Sequence, residues 1–371
     1  MRIGIITFHR AYNCGAMLQA WALKTVLERM GHTVEFPACN HVGEIPRWHY
    51  RIFGNGKSGS AWLRAFAAGV VRNLTSIPNE DISRMRYRKF RLTNLPERAC
   101  SPDEFVKYYD ALIVGSDQVW SARHATVDAP LFFAESMPKE LPKVVYAASY
   151  GDEPLDTESV RRVVDAVQRF AAVSVRETLA KHQLEQYTDK KISTTLDPTL
   201  LIDANDYEPI VADIGKVREP YLFMYTLSTG PFFINAARAL ARRLGVRCII
   251  APCYQYSWLG APKGLTYGIS PDRLLGFVRG AKYVLAGSFH GTVMGLLFKK
   301  PFLSLRERVD EYESRPAALL NMVGCEDRLV NPSTSLDKME ALLKQDVPVR
   351  AYELLANRRE ESLSWLQENL R

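Results

Sequence analysis

Short apolar runs recur along this chain, each closed by a small-residue or polar turn and followed by a stretch of helical period. No other feature constrains the fold as much. Ile3–Phe8 is the first run; Ala16, Ala20, Leu23 and Leu27 follow at helical spacing, and Gly31 supplies a C-terminal stop. Thr33–Phe36 reads as the next strand. "ALIVGSDQVW" (Ala111–Trp120), "KVVYAASYG" (Lys143–Gly151), "AAVSVRE" (ending at Glu177) and "STTLDPTLLID" continue the series, with a helix through Val160–Phe170. Strands of this kind, apolar on both faces and separated by helices, form a parallel sheet covered on both sides.

Around Asp203–Pro220 the period is lost, and then the alternation restarts. "YLFMYTL" (Tyr221–Leu227), "VRCIIAPC", "KYVLAGSFHG" and "PFLSL" read as strands, with helices at Phe232–Leu244, Pro271–Arg279 and Thr292–Phe298. The expectation is an α/β protein of two Rossmann-like, doubly wound parallel-sheet domains facing a cleft. Residues 1–205 form the first domain, with a basic insertion at 41–100; residues 206–335 form the second; 336–371 are C-terminal helices. Ligands of such sheets bind beyond the carboxyl ends of the strands, which is where the polar turns of this chain fall.

Composition narrows the class. The chain has 371 residues, 47% hydrophobic and 24% charged, as globular proteins do. No run reaches the eighteen or so apolar residues of a membrane span. His9 and Arg10 interrupt the first apolar run too early for a secretory leader. Six cysteines lie scattered without CxxC spacing, so a reduced, cytoplasmic protein is expected. "GNGKSGS" (Gly54–Ser60) lacks the glycine spacing of a phosphate-binding loop, no GxGxxG occurs, and no His/Cys set has zinc spacing. Neither a bound metal nor a cofactor is expected.

Several turns could carry chemistry. In "AGSFHGTVMGLLF" (Ala286–Phe298), Ser288 can cap a helix starting near His290, whose N-terminus favours an anion. His290 suits proton transfer near neutral pH, Gly291 lets a ligand approach the backbone, and Thr292 completes the turn. The bland alternative is a plain cap with a packed histidine. Arg176 ends a strand and points at the cleft, unless it pairs with Glu177 at the surface. In "ESRPAALL", Ser314 and Pro316 suit a helix start, and Arg315 stands beside it. Asp117 and Gln118, with Trp120 nearby, suit a sugar or a structural Asx turn. His9, Arg10 and Asn13 occupy the same kind of place. "LDPTLL" reads mainly as turn chemistry around Asp197 and Pro198.

Taken in order, "ITFHRAYNCGAMLQ", "GSDQVW", "AASYG", "SVRE", "LDPTLL", "SFHGT" and "ESR" followed by "LL" and "RLV" resemble the polysaccharide pyruvyl transferase family, from about Arg2 to Val330. The resemblance implies a fold similar to GT-B glycosyltransferases, with the last helix packing back on the first domain. It implies phosphoenolpyruvate as donor, a sugar of a polysaccharide or lipid-linked glycan as acceptor, and a pyruvate ketal as product. On this reading His290 transfers protons. Arg176, Ser288, Gly291, Thr292 and Arg315 hold the donor. His9, Arg10, Asn13, Asp117 and Gln118 hold the acceptor. One departure stands out: many members carry Arg-Leu-His where this chain has Ser288-Phe289-His290, so another cation must serve, with Arg306 and Arg308 as candidates. Two other readings remain: a glycosyltransferase using a nucleotide sugar, and a catalytically silent carbohydrate-binding homologue.

Charge is unevenly placed. Residues 41–100 hold eleven Lys/Arg against four Asp/Glu, an excess equal to the whole net charge of +7. Residues 45–92 also interleave aromatics. Such a segment reads as a solvated helix or as a peripheral contact with the anionic inner face of the cell membrane; nucleic acid is not expected as a partner.

Overall fold

A computed structural model describes residues 1–39, 82–121, 129–151, 154–215, 217, 219–227, 230–252, 266, 268–307 and 314–370. Most of the basic segment, including residues 45–81 and the glycine-rich 54–60, lies outside these, as does Arg308. The described chain forms two parallel sheets. The first has seven strands in the order β3-β2-β1-β4-β5-β6-β7, comprising β1 (Arg2–Ile6), β2 (Thr33–Pro37), β3 (Glu97–Arg98), β4 (Ala111–Val114), β5 (Lys143–Ala148), β6 (Ala172–Val175) and β7 (Ile192–Thr194). The second has five, in the order β12-β11-β10-β8-β9: β8 (Tyr221–Thr226), β9 (Arg247–Pro252), β10 (Tyr283–Gly287), β11 (Phe302–Leu305) and β12 (Leu329–Val330). The expected pair of doubly wound α/β domains is therefore present.

The strands β4, β5, β8 and β11 are buried along their whole length, which is why they read as unbroken apolar runs rather than as alternation. In both sheets the chain first winds one way and then the other. The reversal lies between β1 and β4 in the first sheet and between β8 and β10 in the second. At such a reversal neighbouring loops diverge and leave a crevice beyond the strand ends. The turns after β1 (from Thr7) and β4 (from Gly115) flank one crevice; those after β8 and β10 flank the other.

One apolar cluster joins the two halves. Met17, Leu18 and Trp21, on the helix Cys14–Arg29, share it with Tyr207, Leu274, Phe277 and Val293. The Trp21 and Tyr207 rings lie 5.4 Å apart, and Tyr207 and Phe298 6.4 Å apart. Each large side chain buried there contributes about 1.5–3 kcal/mol relative to exposure.

The final helix, Val349–Asn369, lies against the first sheet's side of the molecule. Trp365 packs on Tyr146 of β5 at 5.8 Å. The Ser362 hydroxyl accepts from the Leu196 backbone N–H at 3.0 Å, and Arg359 donates to the carbonyls of Leu200 (2.7 Å) and Ile202 (3.2 Å). These bonds tie the helix to the turn that carries Asp197.

Candidate active site

The site is assembled from strand ends. β6 ends at Val175, so Arg176 emerges at its carboxyl end. β7 ends at Thr194, and three residues later Asp197 opens the short 3-10 turn Pro198–Leu200. The Asp197 carboxylate accepts from Thr199 N at 2.9 Å and from the Thr199 hydroxyl at 2.5 Å through Oδ1. That leaves Oδ2 directed at the Arg176 guanidinium, with Nη2 at 2.8 Å, and at the His290 ring, with Nε2 at 3.6 Å. Asp197 is 1% exposed. Burial alone would raise its carboxyl, but the Arg176 charge and the His290 and Thr199 contacts outweigh that and hold it well below the usual carboxylate range.

Arg176 is held from two sides. Nη2 also donates to the Ser116 hydroxyl at 2.8 Å, and the guanidinium lies over the Phe289 ring, 5.0 Å from its centroid. Its side chain is only 5% exposed, yet Nε and Nη1 are buried without a hydrogen-bond partner among the described residues. An unmatched buried donor costs free energy unless a ligand supplies an acceptor. Ser116 is fixed in turn: its hydroxyl donates to Ala147 O at 2.7 Å, its carbonyl accepts from the Thr7 hydroxyl at 3.0 Å, and Gln19 Nε2 donates to that hydroxyl at 2.8 Å. A buried polar chain thus runs from Gln19 through Thr7, Ser116, Arg176 and Asp197 to His290.

His290 arrives from the other lobe. Ser288 caps the helix Phe289–Leu297, its hydroxyl accepting from Gly291 N at 3.1 Å. The helix begins one residue before His290, so the imidazole projects from its first turn. There it meets the start of the helix Cys14–Arg29. A Cβ built on Gly15 would lie 2.0 Å from His290 Nδ1, so only glycine leaves room for the ring. The Asn13 side chain accepts from Gly15 N (2.9 Å) and Ala16 N (3.3 Å) and fixes that helix start in place.

The remaining sequence candidates fall into groups. Arg315 joins the site, its guanidinium 5.9 Å from the Phe289 centroid, so that one ring is in contact with both Arg176 and Arg315. Ser314 caps the helix Arg315–Met322 and also accepts from Arg306 Nη1 at 2.6 Å, which draws Arg306 in from the end of β11. The Ser288 and Thr292 hydroxyls have hydrogen-bond partners within the protein. Ser288 is occupied as the cap, and the Thr292 hydroxyl lies within hydrogen-bond distance of Ser288 O and the Ser304 hydroxyl (3.0 and 2.9 Å), because a helix start buried against β11 must satisfy its own polar groups. Gly291 is packed against Ser288, Ala286 and Tyr225.

Asp117 and Gln118 follow Ser116 and are partly exposed beside the first crevice. Asp117 adopts φ +75°, its carboxylate accepting from Gln118 N at 2.9 Å. His9 and Arg10 are placed elsewhere. His9 is fully buried; its Nδ1 lies 3.0 Å from Thr7 O and its Nε2 3.2 Å from Glu97. Arg10 grips the same carboxylate through two bonds of 2.9 Å, and Arg91 adds a second guanidinium. The half-buried Glu97 needs such partners, so these side chains are engaged in an ion cluster rather than reaching into the cleft. Burial holds the His9 imidazole below its ordinary value despite Glu97.

Asp197, Ser116, Phe289 and Gly15 are the participants that turn chemistry alone did not single out. The signal for Asp197 was present, a carboxylate in a rigid Asp-Pro turn at a strand end, but nothing local tells such a turn from a plain one.

Two doubly wound α/β lobes thus bring a buried guanidinium, a carboxylate and an imidazole together. The sequence model described as polysaccharide pyruvyl transferase matches residues 13–307, and the chain belongs to that family. No curated protein matches the chain in sequence. Among solved structures it is similar to UDP-N-acetylglucosamine 2-epimerase from Rickettsia bellii (10% identity, 99% of this chain and 96% of that one, TM-score 0.49). It is also similar to UDP-GlcNAc 2-epimerase from Neisseria meningitidis (13%, 100% and 99%, 0.47) and to the spinosyn rhamnosyltransferase SpnG (14%, 100% and 99%, 0.42). At these scores none of the likenesses bears on substrate or reaction.

Proposed function

We propose that the protein transfers a pyruvyl group from phosphoenolpyruvate to sugar hydroxyls of a polysaccharide or lipid-linked glycan, forming a ketal and releasing phosphate. The observation that carries this reading is Arg176: a buried guanidinium with two nitrogens unpartnered among the described residues, 2.8 Å from the carboxylate that also faces His290. Phosphoenolpyruvate carries a phosphate and a carboxylate, and the arginine fork suits either oxyanion. Arg315, also beside the Phe289 ring, supplies the second cation and stands in for the arginine that many members carry at the position of Ser288. Phe289 keeps that side of the site dry, which strengthens both contacts.

His290 delivers a proton to the methylene carbon of the donor, and positive charge develops on the carbon bearing phosphate. Asp197, kept ionised, orients the ring and balances its charge while it holds the proton. One sugar hydroxyl attacks, a second follows, and phosphate leaves. Of the two hydroxyl protons, one replaces that given by His290 and the other departs with phosphate. Asp117 and Gln118, at the reversal of the first sheet, hold the acceptor, with Asn13 at the adjoining turn.

Incubation with phosphoenolpyruvate and candidate glycans, read by phosphate release and by mass spectrometry for an added pyruvyl group, tests the reaction. His290→Ala should abolish turnover and leave donor binding measurable by calorimetry. Asp197→Asn should reduce turnover by about 10²-fold or more and lower stability by about 3–5 kcal/mol, since Arg176 is left without its buried counter-charge. Thermal stabilisation by nucleotide sugars, with none by phosphoenolpyruvate, would overturn the assignment.

A further inference from the structure

Residues 82–94 form a helix whose two faces differ in an unexpected way. Ser83, Tyr87 and Phe90 are buried. The Tyr87 hydroxyl lies 3.0 Å from Cys14 Sγ, and its ring meets Tyr12 edge-on at 5.7 Å. At about 100° per residue these positions share one side, and Met85, Arg88, Lys89 and Leu92 stand opposite. A surface helix ordinarily carries polar groups on that outer ridge. Here Met85 is 63% exposed and Leu92 61%. Arg88 and Lys89 are exposed between them.

We propose that this ridge docks the protein on an anionic lipid bilayer. Apolar tips interleaved with cations match a surface that offers acyl chains beneath negative headgroups. A purely acidic protein face would leave Met85 and Leu92 unsatisfied, and a purely apolar one would desolvate Arg88 and Lys89. The local charge excess of the segment points the same way. Position also fits. The buried face of the helix touches Cys14, whose neighbour Gly15 packs against His290. The docked ridge therefore holds the start of the cleft near the membrane, where a lipid-linked acceptor is presented. The usefulness of docking rests on the proposed reaction, but the binding does not.

Sedimentation of the full chain with vesicles tests it, with no donor or acceptor added. The protein should partition onto phosphatidylglycerol/phosphatidylcholine vesicles, and less so as salt rises. Arg88→Gln with Lys89→Gln should weaken partition about 30-fold, at roughly fivefold per cation. Met85→Ser with Leu92→Ser should weaken it as well, without moving the melting temperature, because both side chains are exposed. Equal binding to pure phosphatidylcholine, no binding, or indifference to both double variants overturns the proposal. So does self-association of the wild type that Met85→Ser with Leu92→Ser abolishes, which would assign the ridge to a second copy. Vesicle binding without pyruvyl transfer would sink the reaction and leave docking intact.

Discussion

Gly15→Ala places a methyl group where the His290 ring now sits. The added Cβ would lie 2.0 Å from Nδ1, 2.3 Å from Cγ and 2.6 Å from Cε1. Ordinary contact begins near 3.4 Å, so the ring or the helix start must retreat by about 1.4 Å. The helix start is held by Asn13 and by the packing of Cys14 against Tyr87. The ring is the softer partner, and its retreat disturbs the 3.6 Å approach to Asp197. A misplacement of about 1 Å at a reacting group costs on the order of 10²-fold in rate, equivalent to about 2.7 kcal/mol of barrier. Stability should respond much less. Alanine gains about 1 kcal/mol of helix propensity over glycine, which offsets part of the roughly 1–3 kcal/mol of overpacking. The assay is phosphate release with saturating phosphoenolpyruvate and acceptor, beside a thermal melt. The expected result is kcat reduced about 100-fold with a melting temperature moved by a few degrees. A variant within threefold of wild-type kcat would refute both the placement of His290 against Gly15 and the demand for a precisely held imidazole.

Two further outcomes follow from the same geometry. His9 is buried with its pKa lowered, so the stability it contributes is fully present above the unfolded value near 6.5 and is lost as pH falls through its folded value. Thermal melts should decline with acid from about pH 6.5, and His9→Gln should delay the onset toward pH 4, where the Glu97 and Asp197 carboxyls, depressed in the fold, take up protons in the unfolded chain first; an unchanged onset would exclude His9 as its source. Ser362→Ala strips the Leu196 N–H of its partner in a buried setting, costing about 1–3 kcal/mol and loosening the Asp197 turn; turnover that falls no further than the urea midpoint predicts would show that the last helix does not steady the site.

The strands were legible because a sheet covered on both faces demands continuous apolar runs, and β4, β5, β8 and β11 display them directly. Two caps were legible as well: Ser288 and Ser314 act within a few residues of themselves, where short-range hydrogen bonding decides the outcome, whereas Asn13, read as a ligand contact, also proved to be a cap. Arg176 and His290 could be singled out as strand-end and helix-start residues, though not as neighbours, since 114 positions separate them in the sequence.

What the chain's own order of residues determined was therefore the local chemistry: which segments become strands, where helices begin, and which turns carry polar groups. The tertiary structure alone decided who meets whom. Asp197 became the common partner of Arg176 and His290 because the end of β7 lies beside β6 and opposite the helix from the other lobe. His9 and Arg10, polar residues in an equally promising turn, were drawn instead to Glu97 because a carboxylate taken out of water requires compensating charge. Burial and long-range pairing set those choices, and neither is a property of any single stretch of sequence.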